Sequence, residues 1–484
     1  MAKTTRPNVL FFFTDQQRAD TIAALGNDVI RTPALDRIVR DGVSFTNAFT
    51  PSPVCVPARC SMKYGQYPCR TGCYNNQYPF VNDERRSFIQ VLTDAGYRTH
   101  AVGKCHFTPD RFAAMHGFQT RDRQEEGRPA PEDDEYQRFL YDNGYDGFLE
   151  PHGARAEMYY VPQISVMPER FHPTQWIGDR SAAFIEEQTG SDQPWMLFSS
   201  FIHPHPPFAP PNPWHKLYRG PFMPAPHVPE NAEALWTYIN RRQNRAKQRD
   251  QGIDRRLVGC IKAYYYAAIS FVDYQIGRVL DALDSLGVSD RTIVVITADH
   301  GEMLYEHEYY FGHDIALYEE CIMVPLVIDH PGLGVTPKRL PGLVQSIDIF
   351  PTVLAFLGIG SPDGTEGKSL EPLMIGAETR TAEYAFSETF PFPEKAMPRH
   401  AVRTQGQKLI WREVEEGSIT KHLYDLDADP GEMSDIMADE PESGRALDRA
   451  LHEWTKADGL HPAPIPTAQE AGRVQILRSL GYLE

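Results

Sequence analysis

Short, uninterrupted apolar runs alternate along this chain with segments of helical periodicity. Asn8–Asp15 (NVLFFFTD) is apolar almost throughout and ends in an acid, which is how a strand buried on both faces of a parallel sheet reads. Arg98–Gly103 (RTHAVG), Trp195–Ile202 (WMLFSSFI) and Thr292–Asp299 (TIVVITAD) read the same way. Between them lie helical patterns. Ser87–Ala95 is one, and Ala268, Ile269, Val272, Ile276, Val279, Leu280 and Leu283 recur at a three/four spacing in another, which Gly287 stops before the next strand. Strands alternating with helices predict an α/β fold with a largely parallel central sheet flanked by helices. Pro362–Gly376 is rich in Gly and Pro and divides the chain into a large domain, residues 1–375, and a smaller α+β subdomain with a tail, residues 376–484. In the subdomain, Ala401–Glu413 and His422–Leu426 read as antiparallel strands and Ser443–Ala457 as a helix. The tail from His461 is Pro-spaced and closes on an apolar segment, Ile476–Leu483. It can fold back on its own domain or dock on a neighbouring subunit of a homo-oligomer.

Composition narrows the class. A chain of 484 residues is too long for one ordinary core, which agrees with two units. The net charge of -17 argues against nucleic acid or an anionic membrane as the main partner. It does not argue against a small anionic substrate held in a locally positive site. No run of about 18 apolar residues occurs, so no transmembrane helix is expected. The stretch Val9–Phe13 is too short for a signal-peptide core, so a cytoplasmic location is expected. Seven cysteines, an odd number without an export signal, do not make a disulfide framework. Cys69 and Cys73 flank Arg-Thr-Gly but lack a second Cys/His pair at zinc-site spacing. Glu125 to Gly153 is acidic and Gly/Pro-bearing, and is expected as an excursion over one face of the sheet. Arg241–Arg256 is charge-dense and reads as a solvated helix or insertion.

Function in parallel sheets collects at the carboxyl ends of strands. Asp15, Lys104 with His106, His203 with His205, and Asp299 with His300 all stand at or just past the ends of the apolar runs. Residues i and i+2 of a strand share a face, so Lys104 and His106 are expected to address one pocket.

Cys55-Val56-Pro57-Ala58-Arg59 resembles the sulfatase signature Cys-x-Pro-Ser/Ala-Arg. The resemblance extends over most of the chain. Gly103-Lys104-Cys105-His106 matches the family's Gly-Lys-x-His segment, and His203-Pro204-His205-Pro206-Pro207-Phe208 is similar to its His-x-Pro segment. Asp299 onward (DHGEMLYEHEYYFGHDIALYEECIMVPLVI) follows a further family pattern, and Leu423–Glu432 (LYDLDADPGE) resembles the sulfatase C-terminal subdomain. The resemblance implies an alkaline-phosphatase-like fold and a nucleophile made by oxidising Cys55 to formylglycine, through a separate formylglycine-generating enzyme. One hydroxyl of the hydrated aldehyde would attack sulfur or phosphorus. It also implies that Asp15, Asp299, His300 and residue 55 hold one divalent cation, Ca²⁺ or Mn²⁺ rather than Mg²⁺. Arg59 would support the hydrated aldehyde, Lys104 and His106 the ester oxygens, and His205 the leaving-group oxygen. Asn76 and His203 would line the substrate.

Two departures from the pattern matter. Gln16 follows Asp15 where a second Asp is common, and His313 stands where lysine is usual. Both move the chain toward the phosphonate monoester hydrolases, whereas Lys104 and His106 favour a sulfatase acting on aryl or small alkyl sulfates. A non-catalytic metal-binding relative is the third reading.

Overall fold

The computed structural model describes residues 6–456, apart from 77–84, 109–113, 128, 149, 156–157, 230–253, 309–311, 314–315, 380–381, 390–398 and 416–417. The stretch Arg241–Arg256 up to residue 253, and the tail from His461, therefore lie outside the described residues.

Eight strands form the main sheet: β1 (Asn8–Asp15), β2 (Val43–Phe49), β3 (Arg98–Gly103), β4 (Thr120–Arg123), β5 (Trp195–Pro204), β6 (Thr292–Ala298), β7 (Leu326–Asp329) and β8 (Lys338–Gln345). Their spatial order is β4-β3-β5-β1-β6-β7-β2-β8. Only β7 runs antiparallel to its neighbours. β1 is central, parallel to β5 on one side and β6 on the other.

The strictly apolar β1 has one physical reason: both faces of the sheet are covered. Val9, Phe11 and Phe13 join a core with Met62, Phe88 and Phe350. Leu10 and Phe12 join a second core with Leu35, Ile38, Trp176, Phe184, Val272 and Ile276. The helices that supply these layers are α1 (Pro33–Asp41), α2 (Cys55–Tyr64), α3 (Pro68–Thr71), α4 (Phe88–Asp94), α5 (Glu135–Asp142), α6 (Pro173–Glu187) and α7 (Arg255–Ser285), with Ile349–Phe356 further on. α4 starts on a reciprocal capping box, Ser87 with Gln90. α7 is longer than its apolar spacing suggested, beginning at Arg255 behind an Asp254 cap.

Leu370 and Met374 still pack in the main core. After them comes a four-stranded antiparallel sheet, β9 (Ala385–Thr389), β10 (Arg399–Arg403), β11 (Gln407–Glu415) and β12 (Ser418–Asp425), covered by the helix Pro441–Lys456. The sequence segment Ala401–Glu413 is thus two strands, not one. Thr404–Gly406 turns the chain between β10 and β11, and the strand read as His422–Leu426 begins at Ser418. Among the described residues no helix is long and apolar enough to cross a membrane.

Candidate active site

Four consecutive strands, β3, β5, β1 and β6, deliver their carboxyl ends to one place. Asp15 closes β1 level with Pro204 of β5, and Thr14 pairs with Ala298 at the end of β6, so Asp299 emerges beside Asp15. Gly103 pairs with Ser200 and takes φ +88°. A Cβ there would stand 2.0 Å from the Ser200 carbonyl oxygen, so only glycine allows the bend that turns Lys104 inward.

α2 brings the nucleophile position. Cys55 occupies its first residue, and every residue of the helix is buried. A helix start leaves amide donors without intrahelical partners. Pro57 has no amide hydrogen to leave, and Val56 N–H donates to Asn76 Oδ1 at 2.9 Å. Asn76 therefore sits beside Cys55 by holding the helix it begins.

Cys55 Sγ lies 3.3 Å from His300 Nε2 and 3.9 Å from Asp15 Oδ1. Ligand atoms of Asp15, Cys55, Asp299 and His300 all fall within 4.8 Å of one another. Arg59 fixes the two carboxylates from behind: its Nη2 donates to Asp15 Oδ2 at 3.0 Å and its Nε to Asp299 Oδ2 at 2.7 Å. The guanidinium is fully buried and lies over the Phe13 ring, 4.7 Å from its centroid. Each carboxylate thus has Oδ2 held by Arg59 and Oδ1 turned toward Cys55 or His300, the Asp299 Oδ1 also accepting the backbone N–H groups of Gln16 and His300. His300 Nδ1 donates to the Gly301 carbonyl at 2.9 Å, which leaves Nε2 with its lone pair facing the cluster. Two hard oxygens and one oriented imidazole beside residue 55 fit a divalent cation.

Around this cluster lie the groups that would meet an ester. Lys104 Nζ stands 2.6 Å from Asp15 Oδ2 and pairs with Glu126 as well, all three fully buried or nearly so. Burial opposes the Asp15 carboxylate, but Lys104, His205, Arg59 and His300 outweigh it and hold its pKa well below the carboxylate range. Burial likewise opposes the Lys104 ammonium, and Asp15 with Glu126 more than restores it, so Lys104 stays charged. An ammonium has three N–H donors, and these two partners leave one for a substrate oxygen. His205 Nδ1 donates to the Pro206 carbonyl at 2.7 Å, which turns Nε2 toward Tyr159 Oη at 3.4 Å and Glu126 Oε2 at 3.7 Å. Burial lowers the His205 pKa, while Glu126 and Asp15 counter it. Burial also pushes Cys55 up, so the unmodified thiol is held protonated.

The remaining sequence candidates divide. His313 enters the site: its ring stacks on His300, centroids 3.9 Å apart, its Nδ1 donates to the Pro53 carbonyl at 2.5 Å, and it groups with Cys55 and His300. His203 is buried with Nδ1 2.9 Å from Thr174 Oγ1 and its ring against His172. It braces the segment that carries His205. His106 is buried, and its backbone N–H donates to Glu125 Oε1 at 3.3 Å. The strand alternation expected to pair it with Lys104 does not apply, because β3 ends at Gly103 and His106 takes φ +45°. The Gln16 side-chain amide is spent on Glu302, and its backbone N–H donates to Asp299 Oδ1 at 3.0 Å.

Sequence reasoning missed Glu126. The excursion from Glu125 is acidic, and such runs are usually solvated, yet Glu126 is buried between Lys104, His205 and Arg155 Nη2 at 3.3 Å. Its spacing from Lys104 carries no signal; only the β3–β4 crossover brings the two together.

A family model described as Sulfatase matches residues 7–359. A second, N-sulphoglucosamine sulphohydrolase, C-terminal, matches residues 306–456. The chain is 29% identical to an arylsulfatase of Clostridium perfringens (strain 13 / Type A), over 90% of this chain and 91% of the relative. It is 27% identical to a multifunctional alkaline phosphatase superfamily protein of Trinickia caryophylli, covering 90% of this chain and 92% of the relative. The phosphonate monoester hydrolase of Agrobacterium radiobacter superposes with a TM-score of 0.78 at 25% identity, over 94% of this chain and 96% of that one.

Proposed function

The chain belongs to the sulfatase family, and from that premise we propose that it hydrolyses aryl or small alkyl sulfate monoesters with a formylglycine at position 55 and one divalent cation. The observation that carries the sulfate reading is Lys104, a buried cation beside the metal cluster with a donor left for the ester. A monoester group developing charge on its peripheral oxygens gains most from such a fixed donor.

A divalent cation, when bound, supplies Lewis acidity to the ester oxygens, and the hydrated aldehyde supplies the attacking hydroxyl. The chain's own residues do the rest. Asp15 Oδ1, Asp299 Oδ1 and His300 Nε2 would hold the cation, while Arg59 keeps both carboxylates from turning away. Carboxylate oxygens suit Ca²⁺, Mn²⁺ or Mg²⁺ alike, and the imidazole donor moves the preference toward Mn²⁺. Asn76 fixes the start of the helix that presents residue 55. His205 Nε2 is the candidate proton donor to the leaving oxygen, and Glu126 favours its charged form.

A second reading, hydrolysis of phosphonate monoesters or phosphodiesters, is favoured by Gln16 after Asp15 and by His313 against His300 in place of a fixed cation. The test is kcat/KM for an aryl sulfate and an aryl phosphonate monoester on one preparation with added Mn²⁺ or Ca²⁺, beside Lys104→Thr. A preference for sulfate that collapses in the variant supports the first reading. A preference for phosphonate in the parent enzyme rejects it.

A further inference from the structure

Cys60 and Cys73 form a thiol pair that the hydrolytic chemistry does not use. Cys60 lies on α2, and Cys73 follows α3. Both are fully buried, both are reduced, and they share an apolar cluster with Val56 and Tyr64. The two thiols lie close enough that each shifts the ionisation of the other. Buried cysteines often serve only as small apolar filling. Here one side of the pair is cationic. Lys63, also buried, reaches Tyr64 Oη at 3.2 Å and faces Cys60, Cys73 and Cys105. Burial opposes ionisation of Cys60, but the Cys73 thiol, Lys63, the Thr71 hydroxyl and Arg85 outweigh it. Cys73, pushed up by the neighbouring Cys60 and by burial, keeps its proton. One sulfur is therefore prepared to attack and its neighbour to resolve.

We propose that Cys60 and Cys73 are an oxidisable dithiol, a peroxide-dependent disulfide site on the helix that carries Cys55. Hydrogen peroxide is small and uncharged, so it suits a buried target. The Cys60 sulfur attacks one peroxide oxygen and the O–O bond breaks, leaving Cys60 as a sulfenic acid and hydroxide, which takes the thiol proton to become water. The Cys73 sulfur then attacks the Cys60 sulfur. The S–O bond breaks, and the departing hydroxyl leaves as a second water with the Cys73 proton. Two thiols lose two electrons and one peroxide becomes two waters. The new bond closes the loop Ser61–Gly72 and ties α2 to the segment leading to Asn76, whose side chain holds Val56 N–H at 2.9 Å. Oxidation thus braces the start of the nucleophile helix without consuming any group of the site.

The full-length protein tests this directly. Trypsin cuts after Arg59, Lys63, Arg70 and Arg85, which places Cys60, Cys69 and Cys73 on three separate peptides. The protein is treated with hydrogen peroxide, alkylated after denaturation, digested and mapped by mass spectrometry with and without dithiothreitol. The expected result is a cross-linked pair joining the Cys60 and Cys73 peptides, lost on reduction, with a higher Tm for the oxidised form. In Cys73→Ser, Cys60 should instead be trapped by dimedone as the sulfenic acid. Recovery of both as alkylated thiols, at peroxide levels that oxidise the exposed Cys260, overturns the proposal, as does a bridge from Cys60 to any other cysteine. The wild-type map decides the matter even if the variant fails to fold.

Discussion

Arg59→Met removes one guanidinium from between two buried carboxylates. Arg59 donates to Asp15 at 3.0 Å and to Asp299 at 2.7 Å, with all three side chains shielded from solvent. Breaking a buried pair by deleting one partner costs about 3–5 kcal/mol, because a charge is left behind. The two acids are not abandoned equally. Asp15 keeps Lys104 at 2.6 Å, and Asp299 keeps the backbone N–H groups of Gln16 at 3.0 Å and His300 at 2.9 Å. The loss in metal-free protein should therefore sit near the lower end, about 3 kcal/mol. A divalent cation bound at the Oδ1 atoms of the same carboxylates would supply positive charge on the side opposite the guanidinium. At a hundredfold excess over Kd it adds about 2.7 kcal/mol of stability to any protein that binds it only when folded. The parent gains this term too, so the gap narrows only as far as the variant, with more net negative charge at the site, binds the cation more tightly, by about 1.4 kcal/mol for each tenfold in Kd. The assay is thermal unfolding of parent and variant, each in chelator and in saturating Mn²⁺. A large Tm gap in chelator that narrows with metal is expected. An equal gap in both conditions, or none in chelator, would refute the picture of Arg59 and the cation sharing these two acids.

Other perturbations follow from the same geometry. Glu126→Gln removes the carboxylate 3.7 Å from His205 Nε2. The His205 pKa should fall further, so the protonated form is lost earlier as pH rises and the basic limb of the kcat profile moves down by about one unit; an unmoved limb would count against His205 as the proton donor. His313→Lys puts a fixed cation against Pro53 and His300. The pH dependence of kcat/KM should flatten near neutrality, and an unchanged profile would exclude His313 from substrate contact. Glu388 is fully buried, and burial pushes its pKa up to about 7. The folded state keeps a proton that the unfolded chain loses near pH 4, so stability should fall by a few kcal/mol as pH rises from about 4 to 7. Glu388→Gln should flatten that part of the Tm-versus-pH curve, and an unaltered slope would reject the assignment.

The residues most legible in the sequence were those under two constraints at once. β1 was readable to the residue because both its faces are covered and its last position is an acid turned into the candidate site, so neither a polar interruption nor a shift of end was open to it. Asp299 was readable for a related reason, standing where an apolar strand stops, whereas Cys55 was readable from the Cys-Val-Pro-Ala-Arg motif. β2, β4, β7 and β8 were not read. They are short or lie toward the sheet edges, and β8 even contains Pro341, which a terminal strand tolerates and a central one does not. The turn between β10 and β11 was missed although the polar run Arg403–Lys408, with Gly406 inside it, separates two apolar stretches. Glu126 was hidden for another reason. Its burial follows from the positions of Lys104, Arg155 and His205, three residues on three separate segments, and local charge patterning points the opposite way.

The most direct test joins the state of residue 55 to turnover. Protein produced with and without a formylglycine-generating enzyme would be digested, and the peptide holding residue 55 weighed to give the fraction of cysteine converted to aldehyde. Aryl sulfate turnover would be measured on the same samples beside Cys55→Ala. The account predicts turnover proportional to the aldehyde fraction and absent in the variant. Equal turnover in samples that hold only cysteine, or any substantial turnover in Cys55→Ala, would contradict it.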